Sequence, residues 1–172
     1  MNTLQIRNDE QWEMIIDSII FECCNKLKIN VKWEFMDKET SDKNIGIDAI
    51  FLTPKMANEK YSINEPLILI NYKSELEDNE FLGSIVHECR HAYQYLNQDK
   101  NELWKKEFTA KEQETSNTNY LESEIELDAY VYQELFLRNF FNDKKIKIKA
   151  LKYFDKTKVN KCKQEIEKTC FN

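Results

Sequence analysis

The only two histidines of this 172-residue chain stand four apart, in the run His87-Glu88-Cys89-Arg90-His91. On a helix, positions i and i+4 share a face, so both imidazoles can reach one metal ion, and Glu88 can address a water activated by it. Residues of these types at this spacing do metal-assisted hydrolysis. Two histidines leave a tetrahedral zinc one protein ligand short, with the fourth position kept for water. The acids that could complete the set lie in the run Glu122-Ser123-Glu124-Ile125-Glu126-Leu127-Asp128.

Helical phase sorts these candidates. With Leu82 as origin and about 100° per residue, Ile85, Val86, Cys89, Tyr93 and Leu96 fall within about 60° of one direction. His87 and His91 fall at about 140° and 180°, off the apolar stripe, where two solvent-facing histidines are the alternative to a metal site. On the later helix, Leu121, Ile125, Tyr132, Leu135 and Asn139 define a face centred near Leu121. Glu124 lies about 60° from that centre and Asp128 about 20°, while Glu122 and Glu126 lie about 100° and 140° away. The phase therefore turns Glu124 and Asp128 inward and Glu126 toward water. A buried carboxylate is costly unless it is paired or bound to metal. Glu124 is thus the expected third ligand. Asp128, one turn on, is expected to accept the free ring N–H of a ligating histidine and fix its tautomer.

Taken together, His87-Glu88-x-x-His91 and Glu124-x-x-x-Asp128 resemble the gluzincin metallopeptidases. The string EIELDAY is similar to the second motif of the Ste24/HtpX-type peptidases, and the short format resembles the ImmA/IrrE-type regulatory peptidases. The resemblance covers residues 67–137. It implies a zincin-like fold with one zinc on His87, His91 and Glu124, Glu88 as the catalytic base, Asp128 in support, and a protein or peptide substrate. It also implies a further donor for the oxyanion, with Tyr93, Tyr120, Tyr130 and Arg90 as candidates. Leu67 to Asn71 is either the sheet edge that a peptide joins as a strand or an ordinary packed strand. Arg90 stands where many such enzymes have glycine, and no leucine-leucine-x-proline ending follows Tyr130. A non-catalytic zinc-binding regulatory or interaction module on the same fold is the alternative.

The elements that must hold these residues read as an α+β domain. Residues 8–28 carry an amphipathic helix, with Asn8 and Gln11 as a capping box. Three short strands follow at 31–36, 49–53 and 67–72, the last a continuous apolar run with both faces partly covered. Residues 37–44 read as a turn. The motif helix spans about 78–96, the stretch 97–119 is mostly polar with one helical turn near Trp104 to Phe108, and a long helix runs from Tyr120 to about Phe141. Residues 1–142 form the metallopeptidase-like domain, and 143–172 a lysine-rich helical tail packed on it or extending it.

Composition narrows the function further. A net charge of −6 makes a general nucleic-acid binder a poor fit, because phosphate would repel it. Two glycines and two prolines leave no Gly-rich phosphate loop. No stretch approaches the roughly 18 uncharged residues of a membrane span, and the first apolar patch is broken by Asp17, unlike a signal peptide. Five cysteines without a C-x-x-C pair argue against a disulfide framework or a cysteine-built zinc site, and suit reduced thiols in a cytoplasmic protein. Lys144, Lys145, Lys147, Lys149 and Lys152 read as a solvated face.

Overall fold

The computed structural model describes residues 5–6, 9–44, 46–113 and 123–171. Its described elements are β1 (Gln5–Ile6), α1 (Glu10–Leu27), β2 (Lys32–Phe35), α2 (Lys38–Lys43), β3 (Ala49–Leu52), α3 (Pro54–Tyr61), β4 (Leu67–Ile70), β5 (Lys73–Ser74), α4 (Asp78–Leu96), α5 (Glu102–Glu112), α6 (Glu124–Phe140) and α7 (Lys156–Cys170). Short 3-10 turns at Gln98–Lys100 and Lys149–Tyr153 join the later helices. The class is α+β and mostly helical. No described helix is long and apolar enough to cross a membrane.

By its contacts the chain divides into two units, Met1–Cys89 and Arg90–Asn172, and the division falls inside α4. The first unit holds the three-stranded sheet, ordered β2-β4-β3, with β2 parallel and β3 antiparallel to β4. A separate antiparallel ladder pairs β1 with β5. All four residues of β4 are buried, as its unbroken apolar run requires of a strand covered on both faces. Because β4 is bonded on both sides, it is the packed strand of the two alternatives and offers no free edge; the edges are β2 and β3.

Alternation sends Leu67 and Leu69 to one face and Ile68 and Ile70 to the other. On the first face, α3 packs Ala57 and Met56 against Leu52, Leu67 and Leu69. On the second, α1 reaches the sheet through Asp17, which accepts the Trp33 indole N–H at 2.8 Å. Its Trp12 meets Phe81 of α4 edge to face, with centroids 5.7 Å apart.

Local signals place these helices. The N-cap of α1 is Asp9, which accepts Trp12 N–H at 3.0 Å; the expected cap, Asn8, lies outside the described residues. Asp37 caps α2 in the same way, through Thr40 N–H at 2.8 Å, so the polar run read as a turn is a short helix. Thr53 caps α3, with Pro54 at its first position, where proline's missing N–H costs nothing.

In the second unit α6 is the central element, buried along most of its length and on all sides. Glu134, itself buried, accepts from Arg138 at 2.9 Å, from Lys163 of α7 at 2.5 Å and from Ile148 N–H at 3.1 Å. These three bonds fasten the C-terminal residues to α6, while Lys144, Lys145, Lys147, Lys149 and Lys152 are exposed.

The burial of Ile68 at the middle of β4 yields a test of the sheet core. Ile68→Ala should cost about 2–5 kcal/mol by urea unfolding, because it opens a cavity that strands paired on both sides cannot close.

Candidate metal centre

Helix α4 brings His87, Glu88 and His91 together: each offers one ligand atom, and those atoms lie within 4.8 Å of one another. Both histidines are buried, at 6% exposure. That disposes of two solvent-facing histidines. They lie off the apolar stripe, as their phase requires, yet α4 is covered on that side too.

Glu88 is held from the sheet. The backbone N–H of Phe51, on edge strand β3, donates to Glu88 Oε2 at 2.7 Å. The bond fixes the direction of the carboxylate through one of its two oxygens.

His91 is set by a relay from α6. Gln94 Nε2 donates both to the Ile125 carbonyl at 2.9 Å and to Asp128 Oδ2 at 2.6 Å. Both partners only accept, so the amide nitrogen must face them and Oε1 must face the imidazole. His91 Nδ1 lies 2.8 Å from that oxygen and therefore carries the ring proton. In the neutral imidazole the lone pair is then on Nε2, the tautomer a metal ligand needs. Nε2 lies 3.5 Å from Glu126 Oε1. A protonated His91 would pair with that carboxylate directly, and a neutral one would set a lone pair beside it. Lys111 Nζ, 3.2 Å from the same oxygen, already supplies one positive charge to it.

The structure reverses the expected order of the acids. Glu126 is buried at 6% exposure and faces His91, whereas Glu124 is exposed and occupies the first position of α6. Helical phase sorts residues only where a helix has one apolar stripe. In fact Ile125, Leu127, Ala129, Val131, Tyr132, Leu135, Phe136 and Leu137 are all buried, so the helix has no single inward direction. The helix also starts four residues later than Tyr120. Ser123 is its N-cap, accepting Glu126 N–H at 3.3 Å. Glu107 of α5 holds that end, taking Ser123 O–H at 2.6 Å and Glu124 N–H at 3.2 Å. The Ser123-x-x-Glu126 spacing was the available signal, since a serine followed three residues later by glutamate marks a helix start.

Asp128 does point inward, but its direct partners differ from the expected histidine. It takes Arg90 Nε at 2.7 Å and a second guanidinium nitrogen at 2.9 Å, and it reaches His91 only through Gln94. Arg90 is buried, with its guanidinium over Tyr93 at 4.5 Å and Tyr132 at 5.0 Å. Desolvation opposes its charge, but the adjacent Asp128 carboxylate outweighs this and holds it firmly protonated. Cys162 and Cys170 of α7 also lie on this ion pair, at 4.0 Å from Asp128 and 3.8 Å from Arg90. Burial, then the Asp128 charge, pushes the Cys162 thiol up to about 12.

Of the oxyanion candidates, Arg90 is spent on Asp128. Tyr93 packs on Trp104 and Tyr130 on Phe154. Tyr120 lies outside the described residues, as does Glu122.

No family model, curated protein or solved structure matches this chain.

The Arg90–Asp128 pair carries a stability prediction. Asp128→Asn leaves a buried guanidinium without its counter-charge and should cost about 3–5 kcal/mol in chemical unfolding, whereas Arg90→Met with Asp128→Leu should recover most of the loss.

Proposed function

We propose that the chain is a small zinc-dependent metallopeptidase of gluzincin type, hydrolysing a peptide bond of a protein substrate. The observation that carries this reading is the His87-Glu88-His91 group, its two histidines buried and Glu88 half-buried, with a second acid beside His91. The donors suit zinc: two imidazoles and a carboxylate are its usual catalytic set, and the relay through Gln94 supports His91 as a neutral ligand. Glu126, 3.5 Å from His91 Nε2, is a better third ligand than the exposed Glu124, and a metal would have to draw it in, because among the described residues only His87, Glu88 and His91 bring their ligand atoms within 4.8 Å of one another. Zinc held there would polarise a scissile carbonyl and lower the pKa of a water to about 7.

The chain's own residues have distinct tasks. His91 presents Nε2 because Gln94 occupies its Nδ1 proton. His87 approaches from one helical turn before it on the same continuous helix. Glu88, oriented by Phe51 N–H, takes a proton from the attacking water on Oε1 and delivers it to the leaving amine. Asp128 acts one step removed, by fixing Gln94.

One observation favours a second reading, a zinc-binding module without hydrolytic activity. The Phe51 bond gives Glu88 a structural task, tying β3 to α4, that would by itself account for a carboxylate there. Glu88→Gln separates the two readings, because a glutamine carbonyl still accepts Phe51 N–H but cannot take a proton. Unchanged stability, retained zinc and loss of hydrolysis by a factor of at least about 10² are expected for the peptidase. Persisting hydrolysis would overturn it.

The ligand assignment is tested separately by zinc competition. Glu126→Ala should weaken binding at least about 100-fold, and Glu124→Ala should leave it within about twofold. The opposite ranking would restore Glu124.

A further inference from the structure

Residues 144–161 hold eight lysines, no arginine and one acid, Asp155, and all eight lysines are exposed. The stretch carries +7 in a chain whose net charge is −6, so the remainder carries −13. Exposure alone fits a solvated face. The arrangement goes further, because the start of the stretch is pinned to α6.

After α6 the chain reverses at Asn142, with φ 50°, and returns along the helix. The Ile146 carbonyl accepts Arg138 Nε–H at 2.7 Å, and Ile148 N–H donates to Glu134 Oε2 at 3.1 Å, one helical turn away. Burial then alternates: Lys145, Lys147 and Lys149 are exposed, while Ile146, Ile148 and Ala150 are partly covered. An extended backbone spaces alternate residues about 6.6 Å apart, so these three lysines form a row of cations. The nearest acids in sequence, Asp143 and Asp155, accept the backbone N–H groups of Lys145 at 2.8 Å and Lys158 at 2.9 Å. Exposed rings flank the row. Phe140 and Phe141 meet edge to face at the turn, 42% and 39% exposed. Tyr153 follows it, 63% exposed, with Lys152 Nζ 4.6 Å from its centroid.

We propose that this strip is a docking surface for an anionic lipid bilayer. Its charge and the partner's are complementary, and the −13 elsewhere does not forbid the contact, since charges more than about 8 Å apart are largely screened at physiological ionic strength. Lysine is a hydrated point charge that needs no fitted geometry, which suits a sheet of headgroups. Nucleic-acid recognition draws on the planar fork of arginine, and the stretch has none. Aromatic side chains gather at headgroup depth, where the flanking rings would lie. No described helix can cross a membrane, so the contact is peripheral and reversible.

The test is co-sedimentation of the full chain with phosphatidylcholine vesicles holding either no phosphatidylserine or about 30% of it, at about 0.1 M salt. Binding to the anionic vesicles at least about tenfold above the neutral ones, and lost at about 0.5 M salt, is expected. Lys144→Ala with Lys145→Ala and Lys147→Ala should weaken it about 100-fold, near fivefold per lysine. Lys38→Ala with Lys100→Ala and Lys106→Ala changes the net charge equally and should leave it within about twofold. Tyr153→Ala should weaken it at least about threefold without altering its salt dependence. Urea unfolding of each variant should match the wild type, since these side chains are exposed. Absence of binding, equal binding to both vesicles, or equal loss in the two triple variants would overturn the proposal. Tighter binding to single-stranded DNA than to the anionic vesicles would overturn it too, by assigning the strip to nucleic acid.

Discussion

The second end of α4 is tied to α6 by one partly buried carboxylate, Asp128. It accepts a two-pronged bond from Arg90 and a third from Gln94, so a single side chain on α6 fixes two positions on α4 that are four residues apart. The guanidinium cannot shed its proton in compensation, so the pair holds only while both partners stay in register. Its consequence for chemistry is indirect. With Gln94 committed to Asp128 and the Ile125 carbonyl, its one remaining oxygen dictates which nitrogen of His91 carries the proton. In a neutral His91, a structural ion pair thereby sets the tautomer.

A sheet of three short strands, covered by α3 on one face and α1 on the other, presents edge strand β3, whose Phe51 N–H orients Glu88. Helix α4 belongs to both units. The spacing of His87, Glu88 and His91 is therefore set by one uninterrupted helix, the most reliable ruler a chain has over four residues.

How much of this was legible in the sequence follows from what kind of signal each residue carried. The motif helix was legible because its two histidines and its apolar stripe are local features with a fixed period, and β4 because an unbroken apolar run has one simple interpretation in a sheet. The α+β class followed from the order of these elements. Helices α2, α3 and α5 were missed or understated, since they are short and polar and rest on capping by Asp37, Thr53 and Asn101. The acids of α6 were misjudged for a different reason. Phase identifies an inward face only when a helix has an outward one, and α6 is covered nearly all round. Helical phase puts Glu124 inside and Glu126 outside only on a premise that α6 violates. The relay through Gln94 had no sequence signal, because an amide earns its role only from partners 31 and 34 residues away.

The central claim is that the two imidazoles of α4 bind a metal with a carboxylate and without sulfur. Zinc-edge X-ray absorption on the full chain loaded with one equivalent of zinc tests it most directly. The account predicts nitrogen and oxygen ligands at about 2.0–2.1 Å, with the outer-shell scattering of two imidazoles. A sulfur shell at about 2.3 Å, or failure of the chain to take up zinc, would contradict it.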